Sequence, residues 1–207
     1  MTDAEIRRRS DYDRASVRWG DKMRTLGYYD GYLGFLSAPG FEAEPGRRII
    51  DVGAGTGAFC EAWVAINGHP DRLTLLDPSA AMLGRAQDAL RRRGVTAQGV
   101  AAHLGEFDGT GYDEALAAHM IEHCPDPLRA LRQLRDLLAP GGVLRLVVSR
   151  PHWCNAIVWL RWRHRTFARD EIAELLGQAG FADLNFYRFP SGPPSRTSLG
   201  IRAVRAD

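Results

Sequence analysis

The sequence predicts an α/β fold: a doubly wound, seven-stranded, mostly parallel sheet with an antiparallel C-terminal strand and an N-terminal helical extension. Three observations carry that expectation. Between residues 48 and 149, short apolar strand candidates alternate with helix candidates, as in a parallel sheet covered on both faces. The first strand candidate runs straight into Gly53, Gly55 and Gly57 and then into a helical stretch. The last two strand candidates are joined by a link too short for a parallel crossover, so they pair antiparallel.

Taken in order, residues 3 to 37 are helical in character and rich in aromatics (Tyr12, Trp19, Tyr28, Tyr29, Tyr32, Phe35), and they end at the break SAPGFEAEPG. The expected strands are RIIDV (48–52), RLTLLD (72–77), VTAQGVA (95–101), EALAAHM (114–120) and VLRLVVS (143–149). Between them lie AFCEAWVAI, SAAMLGRAQDALRRR from 79 and PLRALRQLRDLL from 127. The last of these sets Leu128, Leu131, Leu134, Leu137 and Leu138 at helical spacing on one face. A helix at 169–179 stops at Gly180, a residue suited to a left-handed C-terminal cap. The strands FADLNFYRF (181–189) and LGIRAVRA (199–206) follow, around the turn-rich PSGPPSRTS. The expected organisation is an N-terminal helical lid, 1–44, and a cofactor-binding domain, 45–207, with 150–168 inserted in it.

At 207 residues, 45% hydrophobic and 25% charged, the composition is that of a globular domain able to bury a core. A net charge of +2 gives no global pull toward nucleic acid or an anionic membrane. Lys22 is the sole lysine, so arginine-rich stretches reflect composition as much as function. Cys60, Cys124 and Cys154 lack the C-x-x-C spacing of a zinc site or a disulfide framework, which suits a reducing compartment. With no apolar run of signal-peptide or membrane-span kind, a cytoplasmic location is expected.

Three glycines in five residues surrender packing and conformational entropy, so the backbone there must turn tightly or be closely approached. A glycine turn that opens a helix offers bare N–H groups at the positive end of its dipole. Asp77 ends the second strand twenty residues after Gly57, where a carboxylate can accept both hydroxyls of a ribose. These features indicate a nucleoside cofactor. Gly53-Ala54-Gly55-Thr56-Gly57-Ala58 also satisfies the dinucleotide fingerprint, so the loop alone does not discriminate. Asp51 does, since a carboxylate there can organise the loop and meet an ammonium group. So do the single glycine loop and the stretch DPSAAML, which sets Met82 against an aromatic base.

IIDVGAGTGAF, LTLLDPSAAML, YDEALAAHMIEHCPDP and LRDLLAPGGVLRLVV resemble the successive motifs of class I S-adenosylmethionine-dependent methyltransferases. The later TFARDEIAELLGQAGF resembles their small-molecule, quinone-biosynthesis branch, and the likeness spans residues 45–205. It implies S-adenosyl-L-methionine as cofactor and a small, aromatic or hydrophobic methyl acceptor as partner. The implied cofactor-binding residues are Asp51, Gly53, Ala54, Gly55, Gly57, Asp77, Pro78, Met82, Ala101, Ala102 and Ala118, with Tyr12 from the lid. In similar enzymes an Asp after the third strand takes the adenine amino group. Here Val100 stands in that place, leaving backbone groups or His103 to do so.

The expected chemistry is an in-line displacement in which the protein aligns the reactants and excludes water. A base is needed only where the acceptor must lose a proton. His119 is the first candidate, His123 the second, and Glu122 is expected to anchor the following helix. Read alone, His119-Met-Ile-Glu122-His123 is also the H-x-x-E-H zinc pattern, but that needs a continuous helix, and Pro125 and Pro127 follow at once. No metal is therefore expected. Trp153, Trp159 and Trp162 offer walls for an acceptor pocket, and Arg161, Arg163 and Arg165 an anion contact. The alternatives are a nucleic-acid or protein methyltransferase using RWRHR and RRR (91–93) as a phosphate track, a non-catalytic cofactor-binding module, and a nicotinamide oxidoreductase. Nucleic acid and membrane are not expected partners, and a homodimer is left open.

Overall fold

The computed structural model describes residues 24–41, 43, 47–152 and 165–206. Tyr12, Trp19, Trp153, Trp159, Trp162, Arg161 and Arg163 lie outside them, and with them most of the lid and of the expected insertion.

The elements run α1 (Tyr28–Leu36), β1 (Arg48–Val52), α2 (Ala58–Asn67), β2 (Arg72–Leu76), α3 (Ala80–Arg91) and β3 (Gln98–Val100). They continue with β4 (Tyr112–Ala118), α4 (Pro127–Leu137), β5 (Leu138–Ser149), α5 (Arg169–Gln178), β6 (Phe181–Tyr187), α6 (Pro194–Thr197) and β7 (Ser198–Arg205). The strands form one sheet in the order β3-β2-β1-β4-β5-β7-β6. β1 pairs in parallel with β2 on one side and β4 on the other, so the winding reverses between β1 and β4. Ligands of open α/β sheets bind at the carboxyl ends of strands flanking such a reversal. As expected, β7 runs against the rest, pairing antiparallel with both β5 and β6.

The central strands read as near-continuous apolar runs because both faces are covered. On one face α4 and α5 supply Leu131, Leu134, Leu137, Ile172 and Leu176. On the other, α1, α2 and α3 supply Phe35, Phe59, Trp63, Leu83 and Leu90. Local chemistry starts the helices at the right places. Ser79 Oγ accepts from Met82 N at 3.3 Å to cap α3, and Asp126 Oδ1 accepts from Arg129 N at 3.0 Å to cap α4, which has proline at its first turn.

One ion pair lies inside the core. Arg145 on β5 donates to Glu114 on β4 through Nε (2.8 Å) and Nη2 (3.1 Å), while Trp63 Nε1 donates to the same carboxylate at 2.8 Å. The third Arg145 nitrogen, Nη1, donates to the carbonyl of Phe41, in the segment that leads from α1 to β1. The fork thus joins two strands, a helix and the connection after the N-terminal helix.

Two strands differ most from the sequence expectation, while β4 (Tyr112–Ala118, expected at 114–120) and β6 (Phe181–Tyr187, expected at 181–189) differ by two residues. β3 is only three residues long, because Val95 and Ala97 are buried in the approach from α3 rather than in the ladder. β5 begins at Leu138, opposite Tyr112, and the ladder resumes at Glu114–Val143 after a register shift. The turn-rich link holds the single helical turn α6.

Candidate functional site

The carboxyl ends of β1, β2 and β4 meet under α1 around a cavity of about 660 Å³, within the range of small-molecule sites. Of the residues singled out in the sequence, Asp51, Gly53, Ala54, Gly55, Asp77, Pro78, Met82, Ala102, Ala118, His119 and His123 line it. Gly57 and Ala101 are not on its wall, and Tyr12 is outside the described residues.

The three glycines do three different things. A Cβ on Gly57 (φ +84°) would sit 2.8 Å from Ala86 Cβ and 3.0 Å from its Cα, so this glycine lets α2 start hard against α3. A Cβ on Gly53 (φ +68°) would sit 2.6 Å from Met120 Cγ. Gly55 (φ +52°) is different: its nearest neighbour, Met82 Cε, is 3.8 Å away, and the open space beside it is the cavity. The backbone laid bare for a ligand is that of residue 55.

Asp77 braces this loop from the next strand. One carboxylate oxygen accepts from Gly55 N at 2.9 Å and the other from Ser79 N at 2.8 Å. At the other end of the loop Asp51 is almost wholly buried, and its Oδ2 has no hydrogen-bond partner among the described residues. Burial, with the nearby charge of Asp77, pushes its carboxyl up to about 7, against hydrogen bonds from Cys60. An orphaned, buried carboxylate oxygen beside a cavity is a site that a cation would complete.

His119 follows β4 with φ +53°, a left-handed conformation that is uncommon for a residue with a side chain. The turn Ile121–His123 comes straight after it, so His119 and His123 do not share the continuous helix that the zinc pattern requires. His119 Nδ1 lies 3.2 Å from Glu122 Oε1 and 3.2 Å from Ser149 Oγ, and Nε2 lies 3.5 Å from Ser198 Oγ. The Tyr28 ring meets the imidazole edge-on at 5.6 Å, and its hydroxyl is 2.7 Å from Thr197 Oγ1. Glu122 also accepts from Ser149 N at 2.6 Å. Burial opposes its charge, but the His119 hydrogen bond and charge and the backbone N–H groups of Glu122 and Ser149 prevail, and its carboxyl sits below the usual range.

α1 roofs the cavity with Tyr28, Tyr29 and Tyr32. Burial, reinforced by Tyr28, Asp51 and Glu122, drives the Tyr32 phenol far above its ordinary value, so it stays protonated. An ionic lattice ties this roof down: Arg24 and Arg93 both donate to Glu61 on α2, and Arg93 Nη2 donates to the Tyr29 hydroxyl at 2.8 Å. Beyond Val100, the far end of the cavity is walled by Ala102, His103, Leu104 and Gly105, with Gln133 and Arg129 reaching in from α4. Sequence reasoning missed Ser149, Ser198 and Gln133 as site residues. Nothing local marks them, since Ser198 meets His119 across 79 positions of chain.

Sheet order and reversal point together are those of a class I methyltransferase fold. The family described as Methyltransferase domain matches residues 25–185, and the chain belongs to it. Over 146 residues it is 30% identical to the chloroplastic 2-methyl-6-phytyl-1,4-hydroquinone methyltransferase 2 of Oryza sativa subsp. japonica, covering 68% of this chain and 40% of that protein. Over 179 residues it is 25% identical to the ubiquinone/menaquinone biosynthesis C-methyltransferase UbiE of Haemophilus ducreyi, covering 71% and 69%. The chain spans about two-fifths of the length of the first curated relatives it matches. Among solved structures, it superposes on the N-methyltransferase NodS of Bradyrhizobium japonicum, in complex with S-adenosyl-L-homocysteine, with a TM-score of 0.67 at 20% identity, covering 87% and 86% of the two chains. Magnesium protoporphyrin IX methyltransferase of Synechocystis, with the same product bound, gives 0.66 at 19%, covering 88% and 84%. At such identities the likeness is one of fold. Among the described residues, no helix is long and apolar enough to cross a membrane.

Proposed function

We propose that this protein methylates a small, hydroxylated aromatic acceptor with S-adenosyl-L-methionine as donor. The observation that carries the cofactor assignment is the orphaned Asp51 Oδ2, separated from the Asp77 carboxylate by the bare backbone of Gly55. In this reading Asp51 takes the ammonium group of the methionine moiety and the Gly55 main chain passes along it. Asp77, at the end of β2, accepts from the ribose hydroxyls. Met82 and Pro78 face the base, with Leu104 and Gln133 at its far edge. When bound, the cofactor supplies a methyl group on a sulfonium, already activated for displacement in line. The protein's part is to position the acceptor and to keep water out.

The acceptor side is bounded by Tyr28, Tyr29, Tyr32 and His119. Aromatic walls with a histidine at the rim suit a flat, apolar molecule with a polar edge. The names of the rice hydroquinone methyltransferase and of UbiE point in the same direction. The N-terminal segment, 1–44, would act as a lid over this acceptor, and 150–168 as a further wall.

Two measurements test the proposal. Calorimetric titration should show S-adenosyl-L-homocysteine binding and no binding of NADH. Transfer of a labelled methyl group should then be seen to a hydroquinone or catechol in a panel of small phenols, amines and RNA. Absence of cofactor binding at millimolar concentration would remove the assignment, and transfer only to RNA would replace the acceptor class.

A further inference from the structure

We infer that Glu122 is a positioning residue that locks His119 in its Nδ1–H tautomer, so that Nε2 is the base that takes the acceptor's hydroxyl proton. The inference rests on the methyltransferase reading above and assigns the base and its orienting partner within it.

The tautomer follows from hydrogen-bond inventory. Nδ1 faces Glu122 Oε1 at 3.2 Å, and an ionised carboxylate has no proton to donate. The His119 hydrogen bond and two backbone N–H groups, including that of Ser149 at 2.6 Å, favour the ionised form of Glu122 against its burial, with no need of a charge on the ring. Nδ1 must therefore carry the hydrogen. Ser149 Oγ, also 3.2 Å away, is compatible with this as a second acceptor. Nε2 then presents a lone pair. Its protein neighbour, Ser198 Oγ at 3.5 Å, is at the limit of hydrogen bonding, and His119 itself lines the cavity.

The cost of Glu122 argues that its charge is used. Its side chain is buried, and Oε2 has no hydrogen-bond partner among the described residues. Holding the Ser149 N–H would need only a neutral amide, with far less desolvation. A retained carboxylate does something an amide cannot: it stabilises the positive charge that appears on the ring.

The balance is simple. As the acceptor oxygen bonds to the methyl carbon, the carbon–sulfur bond breaks and its electron pair stays on sulfur. The hydroxyl proton passes to Nε2, so the charge lost by the sulfonium reappears as an imidazolium against Glu122. An acceptor with an acidic O–H profits from this arrangement, whereas a tertiary amine has no proton to give.

The test is nitrogen-15 NMR of the histidine rings in the protein saturated with S-adenosyl-L-homocysteine, with His119→Asn to assign the signal. The expected result is a neutral His119 ring protonated at Nδ1 and bare at Nε2. In Glu122→Leu, which removes that side chain's acceptor from Nδ1, the Nδ1–H form should lose its dominance, a change that a purely structural role for Glu122 would not produce, whereas Glu122→Gln, whose amide oxygen still accepts, should keep it. His119 protonated at Nε2 in the wild type, or an unchanged tautomer in Glu122→Leu, overturns the inference. If the variant does not fold, the wild-type tautomer decides alone. Calorimetry on the same samples keeps the two failures apart: lost binding of S-adenosyl-L-homocysteine sinks the cofactor reading, and normal binding with the wrong tautomer sinks the pair.

Discussion

Asp51 gives a pH dependence that can be worked from its surroundings. In the free protein its carboxyl is pushed up to about 7 by burial and by the charge of Asp77, so around neutrality much of it holds a proton. An ammonium docking on Oδ2 favours the ionised form, and binding must expel that proton. Affinity for S-adenosyl-L-homocysteine therefore falls as pH drops below 7. Between pH 7 and 5.5 the loss is about fifteen-fold, or about 1.6 kcal/mol at about 1.36 kcal/mol per pH unit. The ligand's own amino-acid groups hold their charges across that window. His103, His119 and His123 line the same cavity, so the quantity to follow is the ratio of wild-type to Asp51→Asn affinity, which cancels their contribution. Isothermal titration in two buffers of different ionisation heat should also show proton release on binding near pH 6.5 in the wild type and little of it in the variant. For the free protein the sign is as follows. A raised carboxyl stabilises the fold fully below about pH 4 and loses that contribution as pH rises through about 7, so Asp51→Asn should flatten this part of the stability profile. A wild-type to variant affinity ratio that does not change with pH would refute the argument.

Four further outcomes follow from distances already given. Asp77→Ala removes the acceptor for the Gly55 and Ser79 N–H groups as well as the ribose contact, so cofactor affinity should fall by about 1.5–3 kcal/mol, measured by calorimetry. Gly57→Ala should lower stability by about 1–3 kcal/mol because its Cβ would strike Ala86. Gly55→Ala should remain folded, carry only the smaller strain of its left-handed backbone, and lose cofactor binding; thermal melts with and without S-adenosyl-L-homocysteine separate the two. Arg145→Leu leaves Glu114 charged and buried, and denaturant titration should show a loss of about 3–5 kcal/mol. The double variant Arg145→Leu, Glu114→Leu should recover much of that.

Much of this structure was legible because it rests on local chemistry. The glycine loop, Ser79 before α3, Asp126-Pro127 before α4 and Gly180 after α5 mark element ends by backbone conformation and capping, which depend on nearby residues. The antiparallel β7 was legible too, since link length limits topology. The site divided along the same line. Asp51, Gly55 and Asp77 announce themselves by position relative to strand ends. Gly57 looked like its neighbours in sequence, but its glycine is required by Ala86, a contact between two helices that no spacing rule reveals. Glu122 was expected to anchor a helix and instead holds His119 and Ser149 from beneath. Ser149 and Ser198 are unremarkable in sequence and enter the site only because the end of β5 pairs with the start of β7.

The margins of the sheet have a consequence for assembly. On one side β3 offers three residues, and on the other β6 is interrupted where the register shifts around Asp183, which has φ +48°. Neither border is a long, flat template on which a second chain can add a strand. Among the described residues the margins of the sheet therefore give a second copy little to pair with, and self-association should leave the β-ladders as they are here.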